Sequence, residues 1–192
     1  MLPFLPRFWS IIICSLALAA CDAAPKFKST DITGAEYGKS LELQDTTGRL
    51  RHLDDFRGKA VVLFFGFTHC PDVCPTTLAD LAGVMKVLGP EADRVQVLFV
   101  TVDPERDTPE ALAKYVGAFD PRFIALRGDV AATQRLAKEF KIYFEKRKQG
   151  ESYTLDHSAQ SYVIDPQGRL RLLVRYDRLA QDLPADLRVI LK

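Results

Sequence analysis

Two strongly apolar runs, separated by a segment with helical spacing, most constrain what this chain can fold into. The runs are AVVLFFGF at residues 60–67 and VQVLFVTV at residues 95–102. Neither alternates like a strand with one face in water, so both are expected to be central strands covered on both faces. Between them, Pro75 suits a first helical turn, and Leu78 and Leu81 recur at helical spacing. This order predicts an α/β protein whose two strands are parallel and adjacent, or nearly so.

Weaker patterns on either side complete the expected fold. Turn residues at 45–48 and 165–168 predict an N-terminal and a C-terminal hairpin, and a polar loop is expected over 146–152. Further helices are predicted by apolar spacing and capping residues over 108–119, 130–140 and 179–191. The sum is a single α/β domain of thioredoxin-like order, with a central mixed sheet, flanking helices and an N-terminal β-hairpin.

The first 20 residues are predicted to be a lipoprotein signal peptide. Arg7 supplies a positive charge, and a short apolar stretch follows it. The apolar run at 8–20 has 13 residues, fewer than the ~18 that a membrane-spanning helix needs. It ends in LAAC at residues 18–21, which resembles the bacterial lipobox, in which cleavage precedes the cysteine and the cysteine receives a lipid. An uncleaved signal anchor with a chance cysteine is the alternative.

Cleavage before Cys21 would define three segments. Residues 1–20 would be the signal peptide, residues 21–36 a flexible tether from lipidated Cys21, and residues 37–192 the folded domain. Asp22 resembles the signal that retains some lipoproteins at the inner membrane. The protein is therefore expected to be exported and lipid-anchored to the periplasmic face of a bacterial inner membrane.

Charge and cysteine content exclude two classes of protein. The 25 acidic residues all follow the signal, and 25 of the 26 basic ones do, because Arg7 is removed. This balance gives no support to nucleic-acid binding. Of the four cysteines, Cys14 would be lost with the signal and Cys21 acylated. Only Cys70 and Cys74 would remain, which is too few for a disulfide-stapled scaffold.

The remaining pair lies between the first apolar run and the predicted helix, in CPDVCP at residues 70–75. A strand end followed by a helix presents the two thiols at the rim of the sheet. Residues four apart share a face of a helix or tight turn, so both sulfurs can ligate one ion. If Pro75 opens the helix, Cys74 lies at its N-terminal cap, where the helix dipole favours the thiolate.

A third ligand can come from one of three histidines, and one imidazole added to two thiolates suits copper in either oxidation state. His69 is directly next to Cys70, and adjacent side chains rarely converge on one ion in such a loop. His52 lies in the N-terminal hairpin and is expected at the surface. His157 lies in a loop before a predicted strand, where functional residues gather in such folds. It is the candidate ligand, with a structural histidine as the alternative.

Four motifs in order make the chain resemble the Sco/SenC family. They are GFTHCPDVCP at 66–75, DPERDT at 103–108, DHS at 156–158 and YVIDPQG at 162–168. The resemblance implies a thioredoxin-like fold and copper, Cu(I) or Cu(II), held by Cys70, Cys74 and His157. It also implies a role in assembling the CuA centre of cytochrome c oxidase.

The sequence leaves three possible functions for this chain. The first is a metallochaperone that delivers copper, maintains the target's thiols, or does both. Its partners would be the CuA-bearing oxidase subunit or another copper protein, and other periplasmic copper chaperones. The second is a partner-specific thiol–disulfide reductase without obligatory copper, in which Cys70 and Cys74 are the redox pair and His157 is nearly dispensable. The third, a peroxiredoxin, is disfavoured because Pro71 stands where that class has threonine.

Overall fold

The two apolar runs form the centre of the sheet. In the computed structural model, which describes residues 25–192, they are β4 (Ala60–Gly66) and β5 (Val95–Thr101). They pair in parallel and are joined by α1 (Val73–Leu88). Every residue of β4 is buried, as a strand with both faces covered requires. The predicted α/β core is confirmed.

The other elements surround this core. In chain order they are β1 (Thr30–Asp31), β2 (Glu42–Asp45), β3 (Leu50–His52), α2 (Pro109–Gly117), β6 (Ile124–Arg127), α3 (Val130–Glu139), β7 (Phe144–Gln149), β8 (Ser152–His157), β9 (Ser161–Ile164), β10 (Leu170–Val174) and α4 (Leu179–Ile190). The main sheet has the strand order β1-β10-β9-β4-β5-β6-β2-β3. Strands β4, β5 and β6 are parallel and their other neighbours antiparallel, so the predicted mixed sheet is confirmed.

The two predicted hairpin turns share the pattern Asp-x-x-Gly-Arg. Gly48 and Gly168 have φ of 84° and 73°, a region that glycine adopts at no steric cost. The carboxylates of Asp45 and Asp165 each accept a hydrogen bond from the backbone N–H two residues later, at 2.9 and 3.1 Å. Turn chemistry that is local in sequence therefore fixes both hairpins, β2–β3 and β9–β10.

The N-terminal segment joins the sheet before residue 37. Strand β1 pairs with β10, and the buried carboxylate of Asp186 in α4 accepts the backbone N–H groups of Lys28 and Ser29 at 2.7 and 2.9 Å. The latter half of the predicted tether therefore packs against the domain. The predicted signal peptide and Cys21 lie outside the described residues. No helix within residues 25–192 is long and apolar enough to cross a membrane.

The polar stretch predicted as a loop over residues 146–152 is a second, two-stranded sheet instead. Strands β7 and β8 pair from Phe144 opposite His157 to Gln149 opposite Ser152, and Gly150 turns the chain with φ of 60°. The charged side chains of β7 are exposed, so the strand lacks the apolar alternation that identifies strands from sequence. As a result, His157 ends a strand rather than lying in a loop.

Candidate metal centre

Three segments bring the predicted ligands together beyond the end of the central strand β4. Cys70 lies in the loop after β4, Cys74 in the first turn of α1, and His157 at the end of β8. Their ligand atoms all lie within 4.8 Å of one another, and no other group of three His, Cys, Asp or Glu residues in residues 25–192 comes together in this way. The side chains predicted to converge therefore do so.

The imidazole of His157 is oriented for binding. Its Nδ1 lies 2.9 Å from the carbonyl oxygen of Ser158. Because a carbonyl only accepts, Nδ1 donates this hydrogen bond, and in the neutral ring the free lone pair is then on Nε2. Nε2 lies 3.4 Å from the Cys74 sulfur, and the ring packs edge-on against Phe67 with centroids 5.7 Å apart. This histidine presents the nitrogen that a metal would take.

Asp156, which precedes His157 in the DHS motif, does not hold the His157 ring. Its exposed carboxylate accepts a hydrogen bond from Arg147 Nε at 2.8 Å, across the β7–β8 hairpin. Successive residues of a strand point to opposite faces. Asp156 therefore points away from the His157 ring. The ring is oriented instead by the backbone carbonyl of Ser158.

The two thiols have very different environments. Cys70 is partly exposed and Cys74 is buried, and both are free. The Cys74 thiol is a hydrogen-bond donor to Cys70, and backbone N–H groups also point at the Cys70 sulfur, with Cys74 N at 3.4 Å. These hydrogen bonds lower the pKa of Cys70 to about 4. The same bond to Cys70, together with burial, raises the pKa of Cys74.

The expectation that Cys74 is the activated thiolate is therefore wrong. Helix α1 begins at Val73, with Asp72 at its N-cap, so Cys74 is already inside the first turn and its side chain turns into the core. Burial without a counter-charge disfavours the charged form. The low-pKa thiol is Cys70, in the loop.

The Cys74 sulfur packs directly against the end of β4. A Cβ placed on Gly66 would lie 2.8 Å from Cys74 Sγ and 2.8 Å from Phe99 Cε2, closer than any ordinary contact between such atoms. The backbone of Gly66 thus forms the floor beneath the buried sulfur. A glycine at the end of an apolar strand is the sequence signal for this close approach.

The other two histidines lie apart from this cluster, as expected. The His69 side chain is 57% exposed, with Nδ1 3.8 Å from Asp107 and 3.1 Å from the Thr68 hydroxyl. His52 is exposed in β3. For His69 the separation follows from the turn at residues 67–70, in which the Cys70 N–H donates to the Phe67 carbonyl at 3.3 Å, because neighbouring residues of a turn point in different directions.

Sequence reasoning missed the part played by the loop after β5. Asp103 and Asp107 are fully buried, although aspartates in loops are mostly exposed. Asp107 accepts hydrogen bonds from the Thr68 hydroxyl and from the Thr101 hydroxyl, both at 2.5 Å. The sequence signal for these buried contacts was the run of charged residues in DPERDT directly after a buried strand. Charged side chains at the end of a buried strand are either exposed to solvent or paired with one another.

Two sulfurs and one imidazole nitrogen form a soft donor set. Such sets select copper over hard cations such as magnesium, and the free Nε2 together with two free thiols meets the requirements of that ion. A low-pKa thiol beside a buried one can also exchange with disulfides. The geometry therefore fits both metal binding and thiol chemistry.

Comparison with known proteins gives consistent matches. The SCO1/SenC family model matches residues 29–192. The mitochondrial SCO2 homologue of Bos taurus is 42% identical over 132 residues, which cover 67% of this chain and 50% of that protein. The chain spans about half the length of the vertebrate relatives it matches first.

Two solved structures are also similar over most of the chain. Copper-bound ScoI of Bradyrhizobium japonicum is 37% identical with a TM-score of 0.73, covering 80% of this chain and 98% of that one. Apo Sco1 of Thermus thermophilus is 37% identical with a TM-score of 0.75, covering 87% of this chain and 97% of that one. The thioredoxin-like fold expected from the sequence is that of these proteins.

Proposed function

This chain belongs to the SCO1/SenC family, and on that premise we propose that it binds copper through Cys70, Cys74 and His157 and acts as a copper metallochaperone. The observation that carries the proposal is the convergence of the three ligand atoms within 4.8 Å. The copper in the related Bradyrhizobium structure supports the choice of ion. Copper would be the cargo of this protein.

Burial of the ligands sets the order in which they can be released. Cys70 and His157 are partly exposed, whereas Cys74 is wholly buried. A partner's thiolate or imidazole can therefore replace Cys70 or His157 first, through an intermediate in which both proteins hold the ion. Cys74 is released last. The pair must be reduced for loading, and Cys74 must give up its proton, because the thiolate is the ligand.

An anaerobic copper titration tests the site. The reduced protein is expected to bind one copper ion, with a thiolate-to-Cu(II) charge-transfer band in the cupric form. Cys70→Ser should abolish tight Cu(I) binding, because a hydroxyl is a poor ligand for a soft ion. His157→Ala should weaken Cu(II) binding more than Cu(I) binding, and exposed His52→Ala is the matched control. Stoichiometric copper in a Cys70→Ser/Cys74→Ser variant would overturn the proposal.

The recipient that the family resemblance implies is the CuA-bearing subunit of cytochrome c oxidase. Mixing the copper-loaded protein with the soluble CuA domain of such a subunit, its thiols reduced, should transfer copper and produce the CuA absorption. Copper that stays with this chain under those conditions would argue against delivery while leaving the binding site intact. The two parts of the proposal are thereby tested separately.

A second candidate function, reduction of a partner's disulfide, is favoured by the unlike pKa values of the two thiols. The Cys70 thiolate would attack the partner disulfide, forming a mixed disulfide and releasing one partner thiolate. Cys74 would then lose its proton to His157 Nε2, 3.4 Å away, and attack Cys70. A Cys70–Cys74 disulfide forms and the second partner thiolate leaves, so two electrons pass to the partner.

In this proposed mechanism the reductase, too, uses His157, which makes the histidine less dispensable than the sequence alone suggested. The assay is reduction of an oxidised CuA domain by the copper-free protein. Reduction that is abolished by Cys74→Ser supports this function, and unchanged oxidised thiols after prolonged incubation would exclude it.

We also propose that the protein is exported and anchored by a lipid on Cys21 at the periplasmic face of the inner membrane. The lipobox-like sequence LAAC at residues 18–21 supports this. Metabolic labelling with a radioactive fatty acid should mark the wild type and not Cys21→Ser, with Cys14→Ser as the matched control. A labelled Cys21→Ser protein would contradict the anchor.

A further inference from the structure

The metal centre draws its ligands from two sheets. Cys70 and Cys74 follow β4, at the centre of the main sheet, whereas His157 ends β8. In the described part of the chain, β7 and β8 form a two-stranded sheet that is not hydrogen-bonded to the main one. The distance between His157 and the cysteines is therefore not fixed by strand pairing. It depends on the short backbone link over residues 158–160 to β9 and on how side chains hold the β7–β8 hairpin against the body.

On the histidine side, Tyr153 makes the attachment. It lies four residues before His157 in β8, on the same face of the strand. The guanidinium of Arg106 stacks 3.7 Å above the Tyr153 ring, and its Nη1 donates to the Tyr153 carbonyl at 2.8 Å. The Tyr153 hydroxyl donates to Asp103 Oδ1 at 2.9 Å, and Arg106 Nε donates to Asp103 Oδ2 at 2.5 Å.

On the cysteine side, Asp107 makes the attachment. Its wholly buried carboxylate accepts the Thr68 hydroxyl at 2.5 Å and the Thr68 backbone N–H at 3.1 Å. Thr68 lies two residues before Cys70. The Thr101 hydroxyl donates to Asp107 Oδ2 at 2.5 Å, the oxygen that also accepts the Thr68 N–H. The loop that leads to Cys70 is thereby fixed to the end of β5.

Asp103, Arg106 and Asp107 belong to one five-residue loop, residues 103–107, which we call the bridge loop. We propose that the bridge loop positions the metal ligands relative to one another, with Tyr153 as its contact to the histidine side and Thr68 as its contact to the cysteine side. Lys146 in β7 adds an ion pair to Glu105 of the same loop. The inference rests on the proposed function for the role of the ligands, but the attachment itself does not require copper.

The chemistry of these contacts makes the loop suitable for this role. Hydrogen bonds to an ionised group are about twice as strong as neutral ones. Asp103 and Asp107 are fully buried, so loss of a partner would leave a buried charge unsatisfied, which is more costly than loss of a surface contact. The arrangement is thus stiff, and a stiff frame keeps ligands within the narrow tolerance that a metal site requires.

Two substitutions test the histidine side on the full protein, purified in detergent and reduced. Tyr153→Phe removes the hydroxyl bonded to Asp103 and keeps the ring beneath Arg106. Arg106→Gln removes the stacked cation. Tyr143→Phe is the matched control, because that hydroxyl bonds only to Glu145 in its own hairpin. The measurements are amide hydrogen exchange of β7 and β8 and the NMR shifts of the His157 ring protons, which the adjacent Phe67 ring displaces.

Tyr153→Phe is expected to speed exchange in the hairpin by about tenfold, the effect of losing one charge-assisted hydrogen bond, and Arg106→Gln by more. Both should move the His157 ring signals towards random-coil positions and weaken Cu(II) binding by about tenfold or more, and Tyr143→Phe should do neither. Thr68→Val should weaken copper binding and leave hairpin exchange unchanged, because it acts on the cysteine side.

Wild-type exchange rates and His157 signals in Tyr153→Phe and Arg106→Gln would overturn the proposal. So would faster exchange with unaltered His157 signals, since the hairpin would then be attached without positioning its ligand. If the wild-type protein binds no copper, the proposed function fails, while exchange and ring shifts in the copper-free protein still decide the positioning role. If Arg106→Gln does not fold, the milder Tyr153→Phe variant supplies the same measurement.

Discussion

Gly66→Ala is the substitution whose effect on the site follows most directly from the structure. The added Cβ would lie 2.8 Å from both Cys74 Sγ and Phe99 Cε2, where ordinary contact begins at 3.4 Å. At least one neighbour must therefore move by about 0.6 Å or more, because repulsion rises steeply at shorter separations. Both neighbours are wholly buried. The strain consequently falls on Cys74, a proposed metal ligand, and on the core beneath it.

The size of the effect has two parts. Overpacking of a closed core costs about 1–3 kcal/mol, and alanine recovers about 0.5–1 kcal/mol of backbone entropy relative to glycine in a strand. A net loss of about 1–2 kcal/mol would lower the melting temperature by about 2–8 °C in a chain of this size. A ligand shift above about 0.5 Å exceeds what a binding site tolerates. We therefore expect copper affinity to fall by at least about tenfold.

The assay pairs thermal unfolding of the copper-free protein with anaerobic copper titration. Gly83→Ala is the control, because Gly83 lies in the same helix as Cys74 and a Cβ there would meet nothing within 4 Å. It should stabilise the protein by about 0.5–1 kcal/mol through helix propensity and leave copper binding unchanged. A Gly66→Ala variant with wild-type stability and wild-type copper affinity would refute the close approach of Cys74 to β4.

Three further predictions concern other residues. Burial raises the pKa of Asp45, but hydrogen bonds from Thr47 and Arg51 outweigh it and lower the pKa to about 2. The ionised carboxylate therefore contributes about 2 kcal/mol to the free energy of unfolding above pH 4, and this contribution is lost as the pH falls towards 2. Acid unfolding of Asp45→Asn should lack this contribution. Iodoacetamide at pH 6 should modify Cys70 and spare Cys74, as peptide mass mapping will show; equal labelling would contradict their unlike pKa values. Asp186→Asn should speed amide exchange at residues 28–31 by about tenfold, and unchanged exchange would mean that Asp186 does not hold the N-terminal segment.

The central sheet could be predicted from the sequence because the information is local and strong. Strands β4 and β5 are too apolar to have a wet face, and α1 between them requires a parallel pair. The hairpin turns at Asp45 and Asp165 were also predictable, since turn residues act within four positions. The β7–β8 hairpin was not predictable in this way, because exposed charged strands carry no apolar period.

Part of the candidate site could also be predicted from the sequence. The cysteine spacing and the motif around His157 indicated which side chains converge, because a buried strand delivers its loop to the rim of the sheet. The unlike pKa values of Cys70 and Cys74 could not be read from the sequence, since they depend on where α1 begins and on which sulfur is buried. The buried contacts of Asp107 were equally hidden, because a charged loop looks the same in sequence whether solvated or packed.

The most direct test of the metal centre is X-ray absorption spectroscopy of the copper-loaded protein, wild type beside His157→Ala. The proposed site predicts two sulfur ligands and one imidazole nitrogen around the copper in the wild type, and loss of the imidazole scattering in the variant with both sulfurs retained. A wild-type spectrum with fewer than two sulfurs, or an imidazole that persists without His157, would contradict the Cys70, Cys74 and His157 ligand set.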